Sequence, residues 1–342
     1  MPTLTQAAPH AVMPGGELHL TGNDLGPGVE VEIAGVTAHV ELARSTQVIV
    51  RVPEGILPGQ VFATKDGIHS NALPVRIAVP MAENLHPVAN PTVDATGTVY
   101  ATLSGSRGQQ TPVSIFRIPP APEGKTHELR PYVRNILNPT GLAFGPDGLL
   151  YVSSRADGII YKVGSSGVAQ VYAEGLGIAT DIVFDRVGDL YVGDRSGTIF
   201  KIRSASEGRS QETFVFATLE PSISAYHLAF DSKGTLYVTG PTTASHQIIH
   251  AIDHAGSASV FYRGLGRAQG MAFDTGDNLY VAASLAGNRG IVRITPSGAA
   301  DLVVSGANLI GLCFLPDGRA ALATRDAIYE VELGIQGLAL LP

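Results

Sequence analysis

Apolar residues fall along this chain in strand-length groups, cut by turns rich in Gly, Asp and Pro, and over most of its length the groups recur in one order. An apolar triplet leads through a short Gly/Asp turn into a second apolar strand ending in Tyr-Val: GLAFGPDGLLYV from Gly141, DIVFDRVGDLYV from Asp181, HLAFDSKGTLYV from His227 and GMAFDTGDNLYV from Gly270. GLCFLPDGRAAL from Gly311 and a degraded NPTVDATGTVYA from Asn90 complete the set. Each copy predicts a hairpin, signalled by its turn chemistry. Tyr100, Tyr151, Tyr191, Tyr237, Tyr280 and Ala321 hold equivalent places, separated by 51, 40, 46, 43 and 41 residues. A third strand follows in each copy (SIFRI at Ser114, GIIYKV at Gly158, TIFKI at Thr198, IIHAI at Ile248, GIVRI at Gly290, AIYEV at Ala327), then an outer one such as VAQVYAEG or SASVFYRG. Four antiparallel strands repeated at forty-odd residues predict blades, and six blades predict a closed ring that hides its edges: a six-bladed β-propeller. Blades are expected near 86–135, 136–176, 177–222, 223–265, 266–306 and 307–342.

Residues 1–80 keep a different rhythm. ELHLTG, VEVEIAG, TQVIVRVP and ALPVRIAV alternate with period two, Val29, Val31 and Ile33 facing one way and Glu30 and Glu32 the other. With turns at Gly-Gly, Gly-Pro-Gly and Lys-Asp-Gly, this predicts a small antiparallel β-sandwich. Residues 81–90, MAENLHPVAN, read as a linker short enough to keep the two domains in contact. The outer strand of blade 6 has two candidate sources: the apolar tail GLALLP from Gly337, or the segment near Val79. If the tail supplies it, deleting 337–342 lowers the melting temperature markedly.

Composition narrows the function classes. The 342 residues carry 23 Lys+Arg against 30 Asp+Glu, a net charge of −7, and no window collects a run of basic residues, so nucleic acid is not an expected partner. Gly (40) and Pro (22) are spread through many tight turns and gather in no disordered tract. The N-terminus has neither a basic n-region nor an apolar span, which predicts no membrane insertion and, for the chain as it stands, a cytoplasmic protein, with a secreted or cell-surface one if a leader has been removed. The single cysteine, Cys313, sits where other blades carry Ala or Val and reads as a packing residue.

The N-terminal stretch resembles an IPT/TIG domain, an immunoglobulin-like fold. The likeness rests on Pro14-Gly15-Gly16, LTGNDLG at Leu20, IAGVTA at Ile33, STQVIVRVPEG from Ser45 and DGIHSNALPV from Asp66. The repeats resemble the NHL and the regucalcin/gluconolactonase propellers, with PTGLAFGPDGLLYV from Pro139 as the most typical phrase. That resemblance covers about residues 85–342 and implies the six-bladed ring; such rings host lactone or ester hydrolysis and pure binding alike. In the lactonase branch it implies a calcium ion in the central channel, held by a Glu, Asn residues and an Asp that also serves as acid/base.

The matching positions here are Ala89, Thr140, Thr180, Tyr226, Gln269 and Ile310, with no carboxylate among them. A hard cation needs several oxygen ligands carrying net negative charge, so no cofactor is expected, and calcium only under the hydrolase alternative. A register shifted by one brings up Asn90, Gly141, Asp181, His227, Gly270 and Gly311, a set that would offer three ligands if the side chains converged.

Other catalytic patterns, GxSxG, the P-loop and HExxH, are missing. His246, His250 and His254 have helical spacing but fall on a third strand, where His250 takes the slot of Phe116, Tyr161, Phe200 and Tyr329 and reads as a packing residue. Four residues beyond the repeat tyrosine, blades 2, 3 and 6 carry Arg155, Arg195 and Arg325. On one face these would gather with Asn90, Asp181, His227 and Gln269 around the channel mouth and favour a carboxylate, phosphate or acidic surface, unless each pairs with Asp157, Asp194 or Asp326 to fix a turn. Two functions remain: a non-catalytic recognition protein binding a protein, glycan or small anionic ligand on the propeller face, and a gluconolactonase-like lactone or ester hydrolase with an altered channel, with or without a metal.

Overall fold

The computed structural model describes residues 1–122, 124–205, 211–241 and 247–339, and every regular element among them is a β-strand. Near the N-terminus Thr3–Ala8, Glu17–Asn23, Gln47–Arg51 and Val36–Arg44 form one antiparallel sheet, and Glu30–Ile33, Gly59–Lys65 and Leu73–Ile77 a second. The long strand Val36–Arg44 joins both, pairing Ala38 with Val31 and, past a bulge at Val40/Leu42, Ala43 with Val48. Alternation does the packing: Val31 and Ile33 face Leu18, Leu20, Val48 and Val50 in one core, while Glu30 points to solvent.

Beyond residue 90, each repeat becomes one four-stranded antiparallel sheet. Blade 2 runs Pro139–Phe144, Leu150–Ser154, Ile159–Val163 and Ala169–Ala173, and blade 3 runs Ala179–Phe184, Leu190–Asp194, Thr198–Arg203 and Glu212–Thr218. Blades 1, 4 and 5 follow the same order, starting at Thr92–Val93, His227–Phe230 and Met271–Phe273. Blade 6 has Gly311–Phe314, Arg319–Ala323 and Ala327–Glu332, and its fourth strand is Val79–Glu83. The ring is therefore closed from the N-terminal side. The tail from Gly337 does not supply that strand; it bridges Asp274 and caps blade 5 through Leu338 N–H to Phe273 O. The expected linker 81–90 is likewise corrected. Residues 81–83 belong to the closing strand, and Leu85 is buried with its N–H on Asp326 O. The physical reason is pairing: a strand emerging from the sandwich meets the exposed edge of Ala327–Glu332 before the tail can.

The repeat tyrosines explain the recurrence of the phrase. In the first hairpins of blades 1, 2, 4 and 5 an Asp caps the turn with one oxygen and receives the tyrosine hydroxyl with the other. Asp94 takes Thr96 N, Thr98 N and Tyr100 OH; Asp231 takes Lys233 N, Thr235 N and Tyr237 OH; Asp274 takes Gly276 N, Asn278 N and Tyr280 OH. Each tyrosine ring then meets the Phe of the next blade edge-on: Tyr100–Phe144, Tyr151–Phe184, Tyr191–Phe230, Tyr237–Phe273 and Tyr280–Phe314, with centroids 4.9–5.3 Å apart. Between blades 6 and 1 Ala321 and Val93 replace the pair, and aliphatic packing around Met81, Leu85 and Ile328 fills the seam.

Sandwich and ring are joined by backbone. Ala11–Val12 lies parallel to Arg76–Ile77 on one side and to Val304–Ser305 of blade 5 on the other. Met13 N–H donates to Ser305 O at 2.7 Å, and Ala11, Met13 and Ala78 pack with Tyr280, Val304 and Leu309. The domains do touch, through a shared sheet.

Candidate functional site

At the inner ends of the blades stand residues of the shifted register. Asp181 packs against Gly141 and accepts N–H groups from Ile182 and from Leu228 of the next blade. Asn90 donates to Met271 O, accepts from Leu312 N, and lies against Gly270 and Gly311, whose missing side chains let the strands close on it. His227 is buried with Nδ1 unpartnered, 3.9 Å from Asp181 Oδ2. Asp181 and His227 are thus buried polar groups between strands, which corrects the expectation that they line an open channel mouth, while Asn90 is partly buried. Burial raises the Asp181 pKa to about 7 and lowers that of His227 to about 4. Both Asp181 oxygens and the Asn90 amide are already engaged. Among the described residues no group of three His, Cys, Asp or Glu side chains is arranged to hold a metal ion.

Of the first register, Thr180 hydroxyl donates to Gly193 O and receives Tyr226 N–H, which knits blades 3 and 4. Gln269 and Ile310 stand elsewhere, in the wall of a cavity.

That cavity, of about 230 Å³, opens between blades 5 and 6. Arg267, Arg289 and Arg325 line it together with Gln269, Ser284 and Asn308. Local folding explains each placement. The second strand of blade 5, Leu279–Leu285, and the third, Asn288–Ile294, are each longer than their blade 2 counterparts and turn through Ala286-Gly287, both at positive φ (49° and 90°), as a two-residue hairpin loop. The extended hairpin sets Arg289 opposite Ser284. Arg267 and Asn308, also left-handed, turn the chain inward from the outer strand of one blade to the inner strand of the next. Gly290 lies so close to Val304 O that any side chain there would collide, which lets the hairpin pack tightly on the outer strand of its own blade, Ala300–Ser305.

The predicted arginines are divided. Arg155 and Arg195 stand near each other over blades 2 and 3; burial first, then the Arg195 charge, lowers the Arg155 pKa, and its guanidinium reaches Ser104 Oγ and Gly105 O at 3.4 Å. Arg325 belongs to the other cavity. The alternative pairing with neighbouring aspartates does not occur. Asp157 accepts from Ile159 N and Tyr161 OH, Asp194 from Ile178 N and Ser196 OH, and Asp326 from Thr324 OH. Among the described residues, Arg155, Arg195, Arg267, Arg289 and Arg325 have no carboxylate within 4.0 Å. Arg267 and Arg289 escaped sequence reading because a fixed offset from the tyrosine misses them; the signal for Arg289 was an interval between Tyr280 and GIVRI longer than its counterparts in blades 2, 3 and 6.

His250 pairs with Val238 as Tyr161 pairs with Val152, in the packing slot expected for it, and His254 lies in the following turn; His246 lies outside the described residues. Cys313 packs against the blade 6 core, its thiol pKa pushed up to about 12 by burial.

No protein-family model matches the chain, and no curated protein matches its sequence. Solved structures do match its shape. A gluconolactonase from Xanthomonas campestris superposes with a TM-score of 0.57 at 14% identity, over 75% of this chain and 89% of its own. An auxiliary nutrient binding protein from Bacteroides thetaiotaomicron gives 0.56 at 12% identity, over 96% and 97%. The fold is all-β, shared with β-propeller proteins. A catalytically inactive virginiamycin B lyase from Staphylococcus aureus gives 0.53 at 16%, over 93% and 98%. At these identities the likeness is one of fold, and it spans hydrolytic, lyase and binding proteins. No helix among the described residues is long and apolar enough to cross a membrane.

Proposed function

We propose that the chain is a non-catalytic recognition protein that binds a small anionic ligand in the cavity between blades 5 and 6. The observation that carries this reading is the convergence of Arg267, Arg289 and Arg325 on one cavity, none with a carboxylate within 4.0 Å among the described residues. Three exposed arginines lining one cavity concentrate positive charge there, and an incoming carboxylate or phosphate would accept bidentate hydrogen bonds from them. Gln269, Ser284 and Asn308 add neutral donors and acceptors that would orient the rest of the molecule.

In this reading the N-terminal unit, residues 1–80, is an IPT/TIG module that positions the ring, a role supported by its backbone bonds to blade 5. No cofactor is required. Engagement of both Asp181 oxygens by backbone N–H groups supports an axis that takes up no calcium. The test is calorimetric titration of the purified chain with glucuronate, inorganic phosphate and calcium, beside a lactone-hydrolysis assay with and without chelator. The expected result is saturable anion binding, weakened about 10-fold or more in Arg289→Ala and unchanged in Arg155→Ala, with neither calcium uptake nor turnover. Anion binding indifferent to Arg289→Ala, or chelator-sensitive turnover, overturns it.

A further inference from the structure

A second cavity of about 230 Å³ adjoins the first, and Arg289 and Gly306 line both. Its far side is built by the N-terminal unit, from Gly15, Gly16, Glu17 and Arg51. Each cavity alone falls below the roughly 300–1,000 Å³ typical of small-molecule sites, and the two in series come within it. Their common wall is Arg289 and Gly306; Met13 fills the space where a Gly306 side chain would stand, so Arg289 is the one side chain that reaches both.

The two ends differ in charge. At the blade 5/6 end stand Arg267, Arg289 and Arg325, with no carboxylate within 4.0 Å among the described residues. At the junction end Arg51 is already spent: its guanidinium meets Glu41, reaches Glu17 at 3.5 Å and donates to Gly15 O at 2.8 Å. The remaining polar lining there is the Asn288 amide, Ser305, backbone groups and a Glu17 carboxylate that lies 3.5 Å from Arg51 and 3.8 Å from His19, neither close enough to use up its acceptor capacity, a set suited to neutral hydroxyl donors. Neither cavity offers an aromatic or long apolar floor apart from Leu309 and Ile310. The cleft is also preformed, because Met13 N–H to Ser305 O and the parallel pairing of Ala11–Val12 fix the sandwich against blade 5.

Resting on the reading above, we propose that the two cavities form one continuous site for an acidic sugar joined to a neutral one, an aldobiouronic acid. The carboxylate sits among the three arginines, and the neutral ring crosses Arg289 to place its hydroxyls against Glu17 and Asn288. Vicinal hydroxyls use closely spaced amides and carboxylates in pairs, whereas a peptide would call for apolar side-chain pockets that the lining lacks.

The test uses the full chain and calorimetry with three probes: glucuronic acid, glucuronic acid linked to glucose, and the matching neutral disaccharide. The acidic disaccharide is expected to bind about 10-fold or more tighter than glucuronic acid, and the neutral one only weakly. Glu17→Gln should remove that gain and leave the glucuronic acid affinity unchanged, while Arg267→Ala weakens both acids. Equal affinity for the two acids, or a gain that survives Glu17→Gln, overturns the extended site and leaves the single-cavity reading standing. An acidic dipeptide that binds with the same Glu17 dependence overturns the sugar assignment. Failure of every acid to bind overturns both readings together.

Discussion

Asp181 Oδ2 lies 3.9 Å from His227 Nδ1 at the inner end of blades 3 and 4, close enough to share a field and too far to share a hydrogen bond. Burial acts on both in opposite senses, raising Asp181 to about 7 and lowering His227 to about 4. A raised Asp favours the folded state at low pH and loses that contribution as pH climbs towards about 7. A lowered His favours the folded state at high pH and loses its contribution as pH falls from about 6.5 towards about 4. Between about pH 4 and 6.5 the two slopes oppose each other. Asp181→Asn should expose the His227 slope, with stability falling on acidification by an amount on the order of 3 kcal/mol over that window. His227→Leu should expose the reverse slope. Urea midpoints across pH 4–7 would check this, and identical profiles for both variants and the parent would refute it.

Tyr280 combines two contributions that substitution can separate. Tyr280→Phe removes the hydroxyl from Asp274, which keeps Asn278 Nδ2 as a partner on the same oxygen, so the cost is expected near 1 kcal/mol. Tyr280→Ala also empties the edge-on contact with Phe314 and should cost about 3–5 kcal/mol. Denaturant unfolding of the two variants measures the difference.

Ring closure gives a contrast between two short segments. Ala82 is buried opposite Ile328 in the closing strand, so Ala82→Asp places an unpaired charge in the blade 6/blade 1 seam and should lower the melting temperature by far more than deletion of 337–342, which leaves that strand in place. A melt in which the tail deletion is the more damaging change would contradict the assignment.

Gly16 controls how closely the sandwich sits on blade 5. A Cβ at this position would stand 2.8 Å from Ser305 O and 2.9 Å from Met13 O, both backbone atoms. Gly16→Ala should therefore cost about 1–3 kcal/mol by forcing the junction apart. Faster proteolysis between the two units, with the ring itself intact, is the readout.

The blades were legible in the sequence because blades 2 to 5 each carry a turn Asp, tyrosine and apolar triplet within a dozen residues. The alternation of Val29, Val31 and Ile33 disclosed the buried face of the second sheet equally locally. What sequence left open was set by contacts distant along the chain. Val79 finds Glu330, Ala11 finds Val304, and no local pattern announces either pairing. The axial register escaped for a related reason: Gly141, Gly270 and Gly311 look like turn residues, but they are flat surfaces against which Asp181 and Asn90 are pressed. Within the candidate site Gln269 and Arg325 were found, while Arg289 was displaced from the repeat by its extended hairpin.

The closing strand also imposes an order of events on biosynthesis. Val79–Glu83 leaves the ribosome with the N-terminal unit, but its partner Ala327–Glu332 is the last strand of the ring to be made. At ordinary elongation rates the early strand waits on the order of tens of seconds with an unpaired edge. Pro80, within that strand, has no N–H to offer a wrong partner, and the negative charge of Glu83 discourages edge-to-edge association during the wait. The seam between blades 6 and 1 is thus a clasp that fastens only after the strands of the last blade have been translated.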